Sequence, residues 1–158
     1  MNRTGSISRW VVAVRRITVV MALTDPHPAL KVAAPQSPMV DGWMGDDWLN
    51  YGAFRQVNFG YFTGQLAKRG KGPSIPSVGY DDYTTFLRAG SAGDYARANG
   101  LDQLPWWHKL IEHPAYDAFW QEQALDAQMA KTPLKVPTMW LQGLWDQEDM
   151  WGAVHSYA

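Results

Sequence analysis

Cysteine is absent from all 158 residues. That excludes disulfides and thiolate zinc sites, but it leaves the compartment open, since exported proteins need not carry disulfides. Net charge is scarce as well: 14 Lys and Arg stand against 15 Asp and Glu, a formal −1. No field of one sign is available to hold nucleic acid or an anionic membrane, so neither is expected as a partner. Long apolar runs are also missing. Arg15-Arg16 splits Trp10–Val14 from Ile17–Leu23. Neither half is long enough to span a bilayer or makes a secretory signal core, so the chain reads as soluble with no export signal.

Several chemical signatures are missing too. The histidines His27, His108, His113 and His155 show no metal-ligand spacing, and none reads as a catalytic base. His155 lies in the helix expected behind the last acid cluster, where packing or surface exposure is its role. Ser37, Ser74, Ser77 and Ser91 lie in expected loops, and none occupies the G-x-S-x-G elbow that exposes a nucleophile. There is no phosphate-cradling glycine loop around Gly100 and no EF-hand spacing. No metal and no cofactor are expected.

What the chain does have is aromatics, with nine Trp and seven Tyr, and two knots in which acids and indoles crowd together. One is Asp41-Gly42-Trp43-Met44-Gly45-Asp46-Asp47-Trp48. The other runs Leu144-Trp145-Asp146-Gln147-Glu148-Asp149-Met150-Trp151. Each follows an apolar, strand-like run. In α/β proteins ligands bind beyond the carboxyl ends of strands, so the knots suggest one site assembled from distant segments.

The coarse element order supports that class. Ile17–Leu23 is a buried helix or strand stopped by Asp25-Pro26-His27-Pro28, and periodicity does not choose between the two. Ala29–Ala34, closed by Pro35, has the length of a buried parallel strand. Tyr51–Leu66 carries apolar residues at mixed 3 and 4 spacing and predicts an amphipathic helix. Lys68–Gly79 is a Gly/Pro/Ser/Lys loop. Asp81–Arg88, Ala92–Ala98, Trp106–Glu112 and Tyr116–Met129 predict short helices, and Val136–Gly143 returns to strand. A helical insertion between two sheet strands is the usual position of a lid over an α/β site.

The acids have bland readings beside the functional ones. Asp146, just past an expected strand, suits a carboxylate that orients a triad histidine. It suits equally a loop residue capping a helix that starts near Glu148, and on spacing alone the cap has the better claim. Asp46 and Asp47 with Glu148 and Asp149 could form a cluster that receives a cationic group, because clustered acids raise one another's pKa unless a cation offsets them. Read from the residues alone, both pairs are solvated turn acids.

Longer strings carry a resemblance. Thr18–Leu23, Asp25–Pro35, Asp41–Trp48, Tyr51–Gln56, His113–Trp120 and Gln142–Ala153 closely resemble the α-amino-acid ester hydrolases. These are serine hydrolases grouped with the X-Pro dipeptidyl peptidases and cocaine-esterase-like acylases. The resemblance implies an α/β class: an incomplete α/β-hydrolase fold with a mostly helical cap inserted between two core strands. Core would cover 18–41, cap 42–135, and the return to core with its acid loop 136–158. Asp146 matches the triad aspartate. Asp47, Glu148 and Asp149 match the carboxylate cluster that receives the substrate's α-ammonium. The implied partner is a small molecule, an α-amino acid ester or aminoacyl β-lactam, and the implied parent is a periplasmic or secreted homo-oligomer.

Two departures qualify this. The family's Gly-x-Ser-Tyr-x-Gly elbow should end just before Thr18, where this chain reads Val11-Val12-Ala13-Val14-Arg15-Arg16. Ala13 stands at the serine position, and residues 1–17 do not match at all, as a changed reading frame or misplaced start would leave them. The chain also reaches Ala158 without the segment bearing the triad histidine or a jelly-roll domain. The expectation is therefore a fragment, inactive by itself and poorly soluble through exposed strand edges and apolar lid surface. The alternatives are an X-Pro dipeptidyl-peptidase-like hydrolase and a non-catalytic binding or pseudogene fragment.

Overall fold

The computed structural model describes residues 16–61, 81–146 and 149–157. Residues 1–15 of the unmatched stretch 1–17, the expected loop Lys68–Gly79 and Glu148 lie outside the described residues. Within them the chain is mostly helical, with one two-stranded sheet.

Ile17–Leu23 resolves as helix α1 (Arg16–Thr24). Val19, Val20 and Leu23 are all buried, a helical stripe rather than a strand face. Pro26 disfavours the α conformation at Asp25 and ends it. The two expected strands do meet, as parallel bridges Ala33↔Thr138 and Gln36↔Leu141. Met139 N donates to Ala33 O at 3.0 Å, and Ser37 N to Leu141 O at 2.8 Å. Neither run forms a continuous strand, which corrects the sequence reading. Pro35, Pro38 and Pro137 supply no N–H, so the ladder is interrupted wherever they fall.

The amphipathic helix predicted from Tyr51 is also corrected. Strands β1 (Leu49–Asn50) and β2 (Ala53–Phe54) form an antiparallel hairpin, with Leu49 opposite Phe54 and Asn50 opposite Ala53. Its two-residue loop, Tyr51-Gly52, has φ of 50° and 83°. Both values are positive, as in the turn whose twist matches a hairpin. A 3₁₀ turn (Gln56–Asn58) follows.

Helix α2 (Asp82–Ala89) is capped by Asp81, whose carboxylate accepts the Tyr83 N–H at 3.1 Å. Helix α3 (Ala92–Ala98) opens with a reciprocal Ser91–Asp94 capping box. Helix α4 (Pro105–Glu112) has Pro at its first turn, where a missing N–H costs nothing. The single helix expected over Tyr116–Met129 is instead α5 (Ala118–Gln121) and α6 (Leu125–Met129). The break falls at Ala124, whose ψ is 100°, and the Leu125 N–H goes to Val40 O at 2.9 Å. A tertiary bond has outcompeted the local helix. Helix α7 (Met150–Tyr157) starts slightly later than the sequence suggested.

Two apolar clusters hold these elements. Leu49, Phe59, Tyr95, Leu101, Trp107 and Trp120 centre the first, an aromatic core in which Phe59 contacts the rings of Phe54, Phe86, Tyr95 and Trp107. Val19, Val20, Leu23, Val40, Leu125 and Met129 centre the second, so α6 packs with α1. Trp145 is fully exposed, and Met150, Val154 and Tyr157 expose one side of α7. No helix among the described residues is long and apolar enough to cross a membrane.

Candidate functional site

The first knot folds around its own carboxylates. Asp41 is buried, and its Oδ1 accepts the N–H groups of Trp43 at 2.9 Å and Met44 at 3.0 Å. Asp side chains favour this local turn bond. Its Oδ2 accepts the Tyr116 hydroxyl at 2.6 Å. Burial, and then that bond to Asp41, push the Tyr116 phenol well above its usual range. Tyr116→Phe keeps the ring against Trp43 and removes only the hydroxyl. It is expected to cost about 1.5–3 kcal/mol, the range for a hydrogen bond to a charged group, read as a lower urea midpoint at unchanged m-value.

The Asp41 turn carries Asp46 inward, where it is 0 % exposed. Its Oδ2 accepts Val40 N at 2.8 Å and Asp41 N at 3.1 Å, and its Oδ1 accepts Gly152 N at 3.1 Å. The last bond spans 106 residues and ties the first knot to α7. An antiparallel backbone bridge, Asp46↔Asp149, lies beside it. Burial pushes the Asp46 carboxyl up to about 7, against the opposing pull of its three N–H donors and with a further push from Asp149. Two knots that are distant in sequence thus meet through one residue.

Asp149 is also buried, 1 % exposed. Its N–H donates to Asp146 Oδ1 at 3.3 Å, in the turn that leads into α7. That contact has the geometry of the capping reading of Asp146, which is half-buried. Asp47 is half-buried and has φ 52°, in the left-handed region. Its carbonyl accepts the side-chain amide of Asn58. Of the four predicted site residues, Asp47, Asp146 and Asp149 therefore come together around Asp46, and Glu148 lies outside the described residues. Asp46 and Asp149 are not solvated turn acids. The corner crowds carboxyl groups in a desolvated setting, where a bound cation would offset the cost of their ionised forms.

Sequence reasoning took Asp46 as one member of a cluster, whereas the structure makes it the hub. Asn58 falls within the stretch Tyr51–Leu66 predicted as helix, where spacing gives no sign of its contact with Asp47. For Gly152, a glycine inside a helical segment was the one available signal of close backbone approach.

Each histidine has a local partner. His27 Nδ1 accepts Ala29 N–H at 3.1 Å, and His108 Nε2 lies 2.7 Å from Asp102 O. His113 Nδ1 lies 2.7 Å from Asp117 Oδ2 with its ring stacked on Phe119, and holds the Asp117 carboxyl below its usual range. His155 stacks on Trp151. Among the described residues no group of His, Asp or Glu is arranged to hold a metal ion. A cavity of about 490 Å³ between α6, the loop after it and α7 is lined by Asp126, Met129, Leu134, His155 and Tyr157, and by none of the candidate acids.

Residues 15–158 match the family of X-Pro dipeptidyl-peptidases (S15 family). Among solved structures, a selenomethionine-labelled α-amino acid ester hydrolase is 80 % identical, with a TM-score of 0.84 over 90 % of this chain. An aminopeptidase from the marine sediment archaeon Thaumarchaeota archaeon is 47 % identical, with a TM-score of 0.81 over 89 % of this chain. The chain spans 23 % of the length of each of those structures. No curated protein matches it.

Proposed function

Because the chain belongs to the X-Pro dipeptidyl-peptidase (S15) family, whose relatives here are α/β-hydrolase-like serine hydrolases, we propose that it forms the acid corner of an α-amino-acid ester hydrolase. The whole enzyme would transfer α-amino acyl groups from esters or aminoacyl β-lactams to water or amines through an acyl-enzyme. In this reading 18–41 and 136–158 belong to the catalytic core and 42–135 form a helical cap. Asp146 orients the triad histidine, and Asp47, Glu148 and Asp149 hold the substrate's α-ammonium.

The observation that carries the reading is the junction at Asp46, which draws Asp149 and the Asp47 backbone to one place. Each charge-assisted bond from the ammonium to these acids contributes about 1.5–3 kcal/mol. Acids crowded in a desolvated corner gain most from a cation, because it relieves their mutual repulsion as well.

The sequence contains no Gly-x-Ser-Tyr-x-Gly string, so the 158-residue polypeptide alone is expected to hydrolyse no aminoacyl ester. Hydrolysis by the purified chain that Asp146→Ala abolishes would contradict this. The site itself is tested in a chimera, with residues 18–158 replacing the matching segment of the 80 %-identical ester hydrolase. The chimera should cleave an α-amino acid methyl ester, and Asp47→Asn should lower kcat/KM for it by about tenfold or more, the equivalent of one charge-assisted bond. Equal rates on the amino ester and its des-amino analogue would rule the ammonium clamp out. The similarity to an aminopeptidase favours one second reading, an enzyme that grips a peptide N-terminus with the same acids. Competition between the amino ester and an X-Pro peptide separates the two.

A further inference from the structure

We propose that Asn58 is a positioning residue for the ammonium clamp, fixing Asp47 through its backbone; the inference rests on the α-ammonium reading above.

Asn58 is 3 % exposed and precedes Phe59, the most enclosed aromatic of the first core. An amide is tolerated at such a place only where its polar atoms are bonded. Its Nδ2 reaches back 11 residues to donate to the carbonyl oxygen of Asp47. Asp47 needs the help. At φ 52° a residue with a Cβ costs roughly 1–2 kcal/mol relative to its relaxed backbone. Such conformations persist where the surroundings over-determine them, and they gather at binding sites.

Here the surroundings act from two sides. On one, the segment after the hairpin supplies two donors that flank Asp46: Arg55 Nη2 to Gly45 O at 2.8 Å, and Asn58 Nδ2 to Asp47 O. On the other, the Asp46 carboxylate grips Val40, Asp41 and Gly152. Trp48 N to Asp46 O at 2.7 Å closes the turn between them. The direction of the Asp47 Cα–Cβ bond is set by this frame. Without the Asn58 amide, the peptide after Asp47 can rotate and the residue can relax to negative φ. Its side chain then leaves from the backbone in a different direction.

A purely structural asparagine would lower stability and blunt all substrates alike, whereas a positioning asparagine acts on the amino group. The test uses the chimera described above with Asn58→Thr, which nearly keeps the volume but removes the amide donor, and Asn58→Leu, which keeps the branched outline at a larger volume with no polar group. Steady-state KM and kcat are measured on an α-amino acid methyl ester and on its des-amino analogue. The expected result is a KM rise on the amino ester about tenfold larger than on the des-amino ester, with kcat ratios little changed. Equal effects on the two esters would overturn the proposal, as would failure of both variants to fold. If instead the unaltered chimera shows no preference for the amino ester, the ammonium reading itself has failed, and this inference falls with it.

Discussion

Gly152→Ala is expected to abolish the fold as described. Gly152 lies in α7, and in an exposed helix this change would stabilise by about 0.5–1 kcal/mol. Here a Cβ would overlap the carbonyl oxygen of Pro38, and it would sit 2.9 Å from that carbonyl carbon and 3.3 Å from Asp46 Oδ2. The two nearest of these atoms are backbone, and the third is a carboxylate oxygen fixed by its own hydrogen bonds. Pro38 is fully buried, and Asp46 is held by its own three bonds. Relief therefore requires α7 to move away from the first knot, which lengthens the Gly152–Asp46 bond and pulls apart the Asp46↔Asp149 bridge. Overpacking costs about 1–3 kcal/mol, and loss of a hydrogen bond to a carboxylate about 1.5–3 kcal/mol more. Together these come to about 2.5–6 kcal/mol, as much as the whole stability of a domain at the low end of the ordinary range of about 5–15 kcal/mol. Gly60→Ala is the control, because a Cβ there meets nothing within 4 Å. Denaturant unfolding should leave the Gly60 variant near wild type and the Gly152 variant without a cooperative transition. A Gly152 variant within about 1 kcal/mol of wild type would mean that α7 does not pack on Pro38.

The sequence was most legible where local chemistry decides. Helix α3 falls where it was predicted, because Ser91 and Asp94 cap it and Asn99-Gly100 ends it. Legibility failed where a distant partner decides. Tyr51–Leu66 has helical spacing, yet its first residues turn a hairpin through positive φ at a tyrosine, which no propensity favours. Tyr116–Met129 has good helix formers throughout, yet Val40 claims the Leu125 N–H and splits it. The candidate site divides the same way. The two knots are visible as crowded acids, and one assembled site is one reading of them beside the blander one of separate solvated turns; the structure joins them at the Asp46↔Asp149 bridge. Their burial is not visible, because turn acids are usually solvated. Only the structure shows that backbone N–H groups drawn from two distant segments make it tolerable for Asp46 to be enclosed.

Asp46→Ala should be the second most damaging change, and its companion Asp46→Asn separates charge from shape. Alanine leaves the N–H groups of Val40, Asp41 and Gly152 without their acceptor. At about 1–3 kcal/mol for each buried donor left unpaired, the loss is several kcal/mol. Asparagine restores one oxygen but presents an NH₂ to donors on the other side, so it should cost less, about 2 kcal/mol. The pH dependence then distinguishes the residue's chemistry. Unfolded, the Asp46 carboxyl gives up its proton near the ordinary value of about 4; folded, burial delays this to about 7. Between those values the folded state holds the extra proton, so this group's contribution to stability is present at acid pH and is lost as pH rises from about 4 to about 7. At about 1.4 kcal/mol per pKa unit the full excursion is on the order of 4 kcal/mol. The Asn variant has no proton to keep. Its stability relative to wild type should therefore improve steadily across that window, from a cost at the acid end to a gain near pH 7, because the excursion of about 4 kcal/mol exceeds the cost of about 2 kcal/mol. A gap that stays constant from pH 4 to 7 would show that Asp46 ionises normally in its enclosure. The three N–H bonds would then outweigh burial, and Asp46 would stand as a fixed negative charge beside Asp149 throughout.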